Sequence, residues 1–231
     1  VRELVDRYRH RSTRNIPWDQ FQDPNVFRAI LKINGKELEF LTHKTPELCD
    51  VAVAQCPYAI RLVPMEWRTA EMYVSVVQRW GGFLGQVPLE LRTNELCWMA
   101  VNHSGSALKH VPYALRTIEM YRQAVTLCWS ALKEVPAEVQ AQYPDLVDIA
   151  LRKHADALKF VHHQTLSMCE ALIRRYPPSL VYVKEQTPEL CFEAVRRSYV
   201  AIAYVRNRTP EILAEAAAGR LREAAAIALL Q

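Results

Sequence analysis

Glycine is scarce, six in 231 residues against thirteen prolines, and so few hinge residues argue against a chain made mainly of flexible linker or disorder. Charge of one sign is missing as well. Lys and Arg outnumber Asp and Glu by only four, which leaves a mild pull toward nucleic acid or an anionic surface and makes nucleic acid an unfavoured partner. No continuous apolar run approaches the roughly 20 residues that a bilayer-spanning helix needs, so no membrane partner is expected. The opening stretch "VRELVDRYRHRSTRN" is too charged for the core of a signal peptide. Because Val1 rather than Met stands first, we expect a fragment of a larger protein.

Catalytic and metal motifs are also lacking. The sequence has no Gly-rich phosphate loop, no H-E-x-x-H, no G-x-S-x-G and no carboxylate pair standing apart from its repeats. The six cysteines, Cys49, Cys56, Cys97, Cys128, Cys169 and Cys191, include no C-x-x-C pair, and we expect free thiols kept reduced in a cytosol. Cys56 and Cys128 stand off the common cysteine position, but no flanking His or basic group marks either as an activated nucleophile. His162 and His163 are adjacent in a connector, a poor arrangement for sharing a metal with Cys169. The expectation is no catalytic residue, no metal and no cofactor.

What is present is a repeat. "TPELCDVAV" at Thr45 returns as "TNELCWMAV" at Thr93 and "TPELCFEAV" at Thr187, and aligned units open at residues 23, 45, 69, 93, 117, 143, 165, 187 and 209. Each opening Thr suits a helix N-cap, the Pro after it suits the first helical residue, and the acid after that suits the positive end of the helix dipole. Apolar residues follow at offsets 3, 4, 7 and 8 from the Thr, as in Leu48, Cys49, Ala52 and Val53, one buried helical face. Gly or Pro at offset 12 then breaks the helix in five units, and a second short apolar set follows, such as Ala59, Ile60 and Val63. We therefore expect an all-α solenoid of about nine two-helix repeats of 22 to 26 residues, covering 23–231, in which stacking stabilises helices too short to stand alone. Residues 1–22, with "IPWDQF", fit no repeat offset and are expected to be an N-terminal cap or the edge of a preceding domain.

A solenoid displays each offset as a line along one face. Offset 16 carries Arg61, Lys109, Lys133 and Lys159, and offset 17 carries Leu62, His110, Phe160, Tyr182 and Tyr204. Basic residues beside aromatics on the second helix make the candidate binding face Arg61, Lys109, His110, Lys133, Lys159, Phe160, Tyr182 and Tyr204. Lys44, Arg68, Arg92, Arg116 and Arg208 precede the opening Thr, and for these we expect pairing with the nearby Glu column or with a helix C-terminus.

The pattern T-x-E-L-C-x-x-A-V followed by A-L-x-x-V-P resembles a bacterial repeat family of unknown function. Its members carry tandem "ELC" and "LAL" motifs and occur in large proteins, including secreted effectors of pathogens. The likeness is clearest at Thr45 to Pro64 and Thr93 to Pro112 and degraded at Tyr143, Thr165 and the last unit. It brings no catalytic motif; it implies an effector or accessory region in a bacterial cytoplasm, or in the host cytosol if secreted. A more distant likeness is to leucine-rich variant repeats, whose Asp-Pro and Asn-Pro pairs are missing from most units here. The function expected is a non-catalytic protein-interaction or scaffolding module. The alternatives are a helical-repeat reader of single-stranded RNA and the regulatory region of an enzyme outside this fragment.

Overall fold

The computed structural model describes residues 23–229, and every element among them is helical. The expected cap at residues 1–22 lies outside the described residues. The chain divides into two compact units, 1–120 and 121–231. The first contains α1 (Pro24–Ile33), α2 (Pro46–Gln55), α3 (Ala70–Arg79) and α4 (Asn94–His103). The division falls inside α5 (Ile118–Leu127). The second unit continues with α6 (Ala137–Gln142), α7 (Pro144–Lys153), α8 (Leu166–Arg175), α9 (Pro188–Arg197) and α10 (Pro210–Leu229). The eight repeats opening at residues 23 to 187 each pair one α-helix with a second, narrower helix. The ninth, expected to have two helices as well, is the single α-helix α10, whose Ala-rich run favours a continuous helix. The fold is an all-α solenoid of short repeats.

The Thr signal marks the helix starts as expected. Thr45, Thr69, Thr93, Thr165 and Thr187 each accept a hydrogen bond through Oγ1 from the amide three residues on, at 3.2 to 3.4 Å. Pro46 and Pro188 take the first helical position, where a missing N–H costs nothing. The carboxyls of Glu47, Glu71, Glu95, Glu189 and Glu211 are held below their ordinary range, first by a bond from their own backbone amide and then by the capping Thr. Since these groups are depressed in the folded state, their stabilisation is present above the unfolded value of about 4.3 and disappears as pH falls through the folded values. The melting temperature is expected to hold from neutral pH down to about pH 5 and to fall below about pH 4. Replacing all five by Gln should flatten that acid limb; an unchanged limb would exclude them as its source.

The second helix of these eight repeats is a 3-10 helix, where the pattern left only a short helix of two turns. Six-residue 3-10 helices span Gly35–Phe40, Pro57–Leu62, Gly81–Gln86 and Gly105–His110 in the first unit, and Trp129–Glu134, Ala155–Phe160, Pro177–Tyr182 and Tyr199–Tyr204 in the second. With three residues per turn, every third residue lines up. Pro57, Ile60 and Val63 are accordingly all buried on one edge, as are Gly81, Leu84 and Val87. Such runs exceed the usual length of a 3-10 helix, and packing is what sustains them. Within each unit α-helix packs on α-helix, as α2 on α3 or α8 on α9, and 3-10 helix on 3-10 helix, as Gly81–Gln86 on Gly105–His110 or Ala155–Phe160 on Pro177–Tyr182.

The core sits between these two layers. Leu48, Cys49, Ala52 and Val53 of α2 are buried with Ala59, Ile60 and Val63, and Leu190, Cys191, Ala194 and Val195 of α9 with Ala201 and Val205. Burial pushes the thiols of Cys49, Cys97, Cys169 and Cys191 up from their ordinary value, so these cysteines act as small apolar side chains.

Candidate functional site

The 3-10 helices carry the residues expected to form the binding face, and the structure leaves them accessible. Arg61, Lys109, Lys133, Lys159 and Tyr204 are exposed, while His110, Phe160 and Tyr182 are half-buried. They fall into two groups, one in each unit.

In the second unit the group is built around Lys159. Its Nζ lies 5.5 Å from the ring centre of Trp129, 5.0 Å from that of Phe160 and 5.8 Å from that of Tyr182, within reach of each ring's negative face. Trp129 also stacks on His154, with centroids 4.7 Å apart and planes 11° from parallel. Burial, then a hydrogen bond to Asp156, pushes the Tyr182 phenol up from its ordinary value, so it is a neutral polar group near neutral pH. Lys133 lies 3.7 Å from the carboxylate of Glu134.

In the first unit the equivalent cation is Arg61. Its guanidinium carbon stands 5.9 Å from the ring centre of Tyr58 and 5.7 Å from that of Phe83. Tyr58 meets Phe83 edge-on at 4.9 Å and Trp80 at 6.2 Å. These rings, with Arg61 and His103, border a cavity of about 450 Å³. His110 packs against Gly85, where an added Cβ would come within 2.6 Å of the imidazole.

Column counting at offsets 16 and 17 missed Tyr58, Trp80, Phe83, Trp129 and His154. For Tyr58 the missing signal was the period of the second helix; the other four stand at offsets 11, 12 and 14, where no column marks them. Offsets 13 and 16 lie one 3-10 turn apart, which sets Tyr58 beside Arg61 and Asp156 beside Lys159.

The basic column before the opening Thr serves a structural purpose. Nε of Arg68, Arg92 and Arg116 donates to the carbonyls of Val63, Val87 and Val111 at 3.0, 2.9 and 3.0 Å. Arg92 Nη1 reaches on to the carbonyl of His110 at 2.6 Å, in the next repeat. For Arg68, Arg92 and Arg116 the structure therefore shows the second of the two pairings expected for this column, the helix C-terminus. Where the connector changes, Gln takes the same position. Gln164 Nε2 donates to the carbonyls of Leu158 and Tyr182, and Gln186 Nε2 to those of Leu180 and Tyr204, all within 2.9 to 3.0 Å. Their Oε1 atoms accept from the amides of Lys184 and Arg206. A second set of clasps joins neighbouring α-helices: Arg79 donates to the carbonyl of Ala54, and Arg175 to that of Leu151 at 2.7 Å. The clasps bind carbonyls at helix ends, where partners within the helix run out, although those of Leu158 and Leu180 also accept the amides of Val161 and Val183.

Among the described residues no group of three His, Cys, Asp or Glu side chains is arranged to hold a metal ion. His162 and His163 are exposed, and Lys184 Nζ donates to the His162 carbonyl at 2.8 Å. No family model, curated protein or solved structure matches this chain.

Proposed function

We propose that this chain is a non-catalytic protein-binding or scaffolding module, a region of a larger bacterial effector-like protein, which takes a protein partner on the face formed by its 3-10 helices. The observation that carries this reading is the ring cluster around Lys159, with Trp129, Phe160 and Tyr182 about one exposed cation and Tyr204 on the following 3-10 helix. Aromatic side chains held in place by their neighbours contribute large contact areas at little entropic cost, and they dominate the energetics of protein interfaces. Tyr58, Phe83 and Arg61 repeat the arrangement in the first unit. Lys109, Lys133 and Lys159 suit a partner that offers carboxylates beside apolar side chains. The reading includes a cytosolic setting, bacterial or host, in which the four buried thiols stay reduced. Among the described residues no helix is long and apolar enough to cross a membrane.

The test uses the full chain as bait. Lys159→Glu and Tyr204→Ala change exposed groups, so each should leave the melting temperature within a few degrees of the parent. Each should also remove, or weaken by more than tenfold, a protein captured by the parent chain, since truncating an interface anchor costs about 2 kcal/mol or more. Retention of every captured protein by both variants would overturn the reading. Single-stranded RNA should bind weakly and be lost between about 50 and 200 mM salt, as phosphate-driven contacts are. Sequence-selective RNA binding that persists at the higher salt would favour the RNA-reading alternative instead.

A further inference from the structure

A second surface, on the α-helical layer of the second unit, is built quite differently. A groove of about 840 Å³ crosses α8, α9 and the start of α10. Its walls include Leu166, Pro188 and Phe192; Leu166 is 56% exposed and Phe192 37%. Leu166 stands at an offset that five of the nine repeats fill with Pro, and Phe192 at one that five repeats fill with a charged residue. Four carboxylates also line the groove, Glu170, Glu189, Glu193 and Glu211, against one guanidinium, Arg174.

The internal ion pairs use only part of this charge. Arg174 lies 3.3 Å from Glu170, and Glu193 is held by Arg196 and Arg197 at 3.0 and 2.6 Å. Glu189 and Glu211, at the starts of α9 and α10, take part in no ion pair with another described residue. An earlier step of the same unit shows what such a glutamate accepts. Arg122 of α5 donates through Nε to Asp145, at the start of α7, at 3.0 Å, and its Nη2 lies 2.9 Å from the same carboxylate oxygen. The positions corresponding to Arg122 in α8 and α9 are Glu170 and Phe192. The cation that bridges one repeat to the next is therefore replaced by an acid and by an exposed ring.

We propose that this groove binds a basic amphipathic segment of a partner protein, its apolar side chains on Leu166 and Phe192 and its Arg or Lys side chains on Glu189 and Glu211 as Arg122 lies on Asp145. The carboxylates of Glu189 and Glu211, which the internal ion pairs of Glu170 and Glu193 leave over, give the charge complementarity. An apolar wall between charged rims is the usual seat of a helix laid in a groove. This surface is separate from the ring cluster around Lys159, so either proposal can fail without the other.

The probes are two fluorescein-labelled synthetic amphipathic peptides with the same leucine pattern, one with Arg and Lys on its polar face and one with Glu there. Binding to the full chain is followed by fluorescence anisotropy. The basic peptide should bind with a Kd of roughly micromolar order and the acidic one not at tenfold higher concentration. Leu166→Asp should weaken the basic peptide at least tenfold. Glu189→Gln with Glu211→Gln, which keeps side-chain size and serves as the readout if Leu166→Asp perturbs the fold, should weaken it severalfold and reduce its salt dependence. Lys159→Glu should leave it unchanged. Equal binding of both peptides, or binding indifferent to both groove variants, would overturn the proposal. So would sedimentation showing that the chain self-associates through this face and that Leu166→Asp abolishes the association, since the occupant would then be a second copy.

Discussion

Gly81→Ala is expected to destabilise the first unit by about 3 kcal/mol, the upper end of what overpacking costs, while Gly82→Ala, one residue later, should be neutral or stabilising. Both glycines belong to the 3-10 helix Gly81–Gln86. A Cβ at Gly81 would lie 2.1 Å from the carbonyl oxygen of Ala100 and 3.0 Å from its carbon. That obstacle is α4 backbone, and the same oxygen accepts the amide of Ser104 at 2.9 Å, so it cannot swing aside as a side chain would. Nothing lies within 4 Å of a Cβ at Gly82. Neither glycine has positive φ, and adding a methyl there without strain reduces the freedom of the unfolded chain, worth about 0.4 to 1 kcal/mol. Urea unfolding of the two variants beside the parent decides the matter. If Gly81→Ala were as harmless as Gly82→Ala, the close approach of the 3-10 helix to α4 would not be part of the folded state in solution. Gly35, whose Cβ would meet the Ala52 carbonyl oxygen at 2.2 Å, should behave as Gly81 does.

These glycines show where the sequence was legible and where it was not. Gly or Pro at offset 12 announced the end of the α-helix, and the 3-10 helices begin there. That Gly35 and Gly81 are also points of backbone contact was invisible, because Pro57 and Pro177 stand at the same offset and the contact depends on how close the next helix comes. The α-helices were readable because capping Thr, leading Pro and four apolar offsets all point to one answer. The type of the second helix was not, since Ala59, Ile60 and Val63 fit an α-helical turn as well as a 3-10 one. The clasps were half-visible. Arg68, Arg92 and Arg116 form a column of one residue type, but Gln164 and Gln186 differ from it in type and in distance from the preceding Val, three residues instead of five. The basic members of the 3-10 face and the rings of Phe160, Tyr182 and Tyr204 were found by offset; Tyr58 needed the helix period, and Trp80, Phe83 and Trp129 stand at scattered offsets. The groove over α8 and α9 had no column to announce it, because Leu166 and Phe192 each break the pattern of their own offset.

Gln140→Glu is the other substitution with a large expected effect, about 3 to 5 kcal/mol at neutral pH. Gln140 is a clasp carried by α6, in the longest connector, and is only 4% exposed. Its Nε2 donates to the carbonyls of Val135 and Phe160, at 3.1 Å each, and lies 3.4 Å from that of Leu132. Its Oε1 accepts from the amide of His162 at 3.1 Å. A carboxylate keeps the last bond but turns a second acceptor toward three carbonyl oxygens, a repulsion that burial makes expensive. The same surroundings favour the protonated acid, so the folded pKa of the new carboxyl should rise above its unfolded value of about 4.3. For a raised group the stability is fully present below the unfolded value and is lost as pH rises through the folded one. The deficit relative to the parent, measured at each pH so that the acid loss from the helix-start glutamates cancels, should therefore be smallest near pH 4 and largest near pH 8. Gln140→Ala removes the donor without adding charge and should cost about 2 to 3 kcal/mol with no such pH dependence. A deficit for Gln140→Glu that stays below about 1 kcal/mol, or that does not change between the two pH values, would show water at this junction in place of a clasp that ties one repeat to the next.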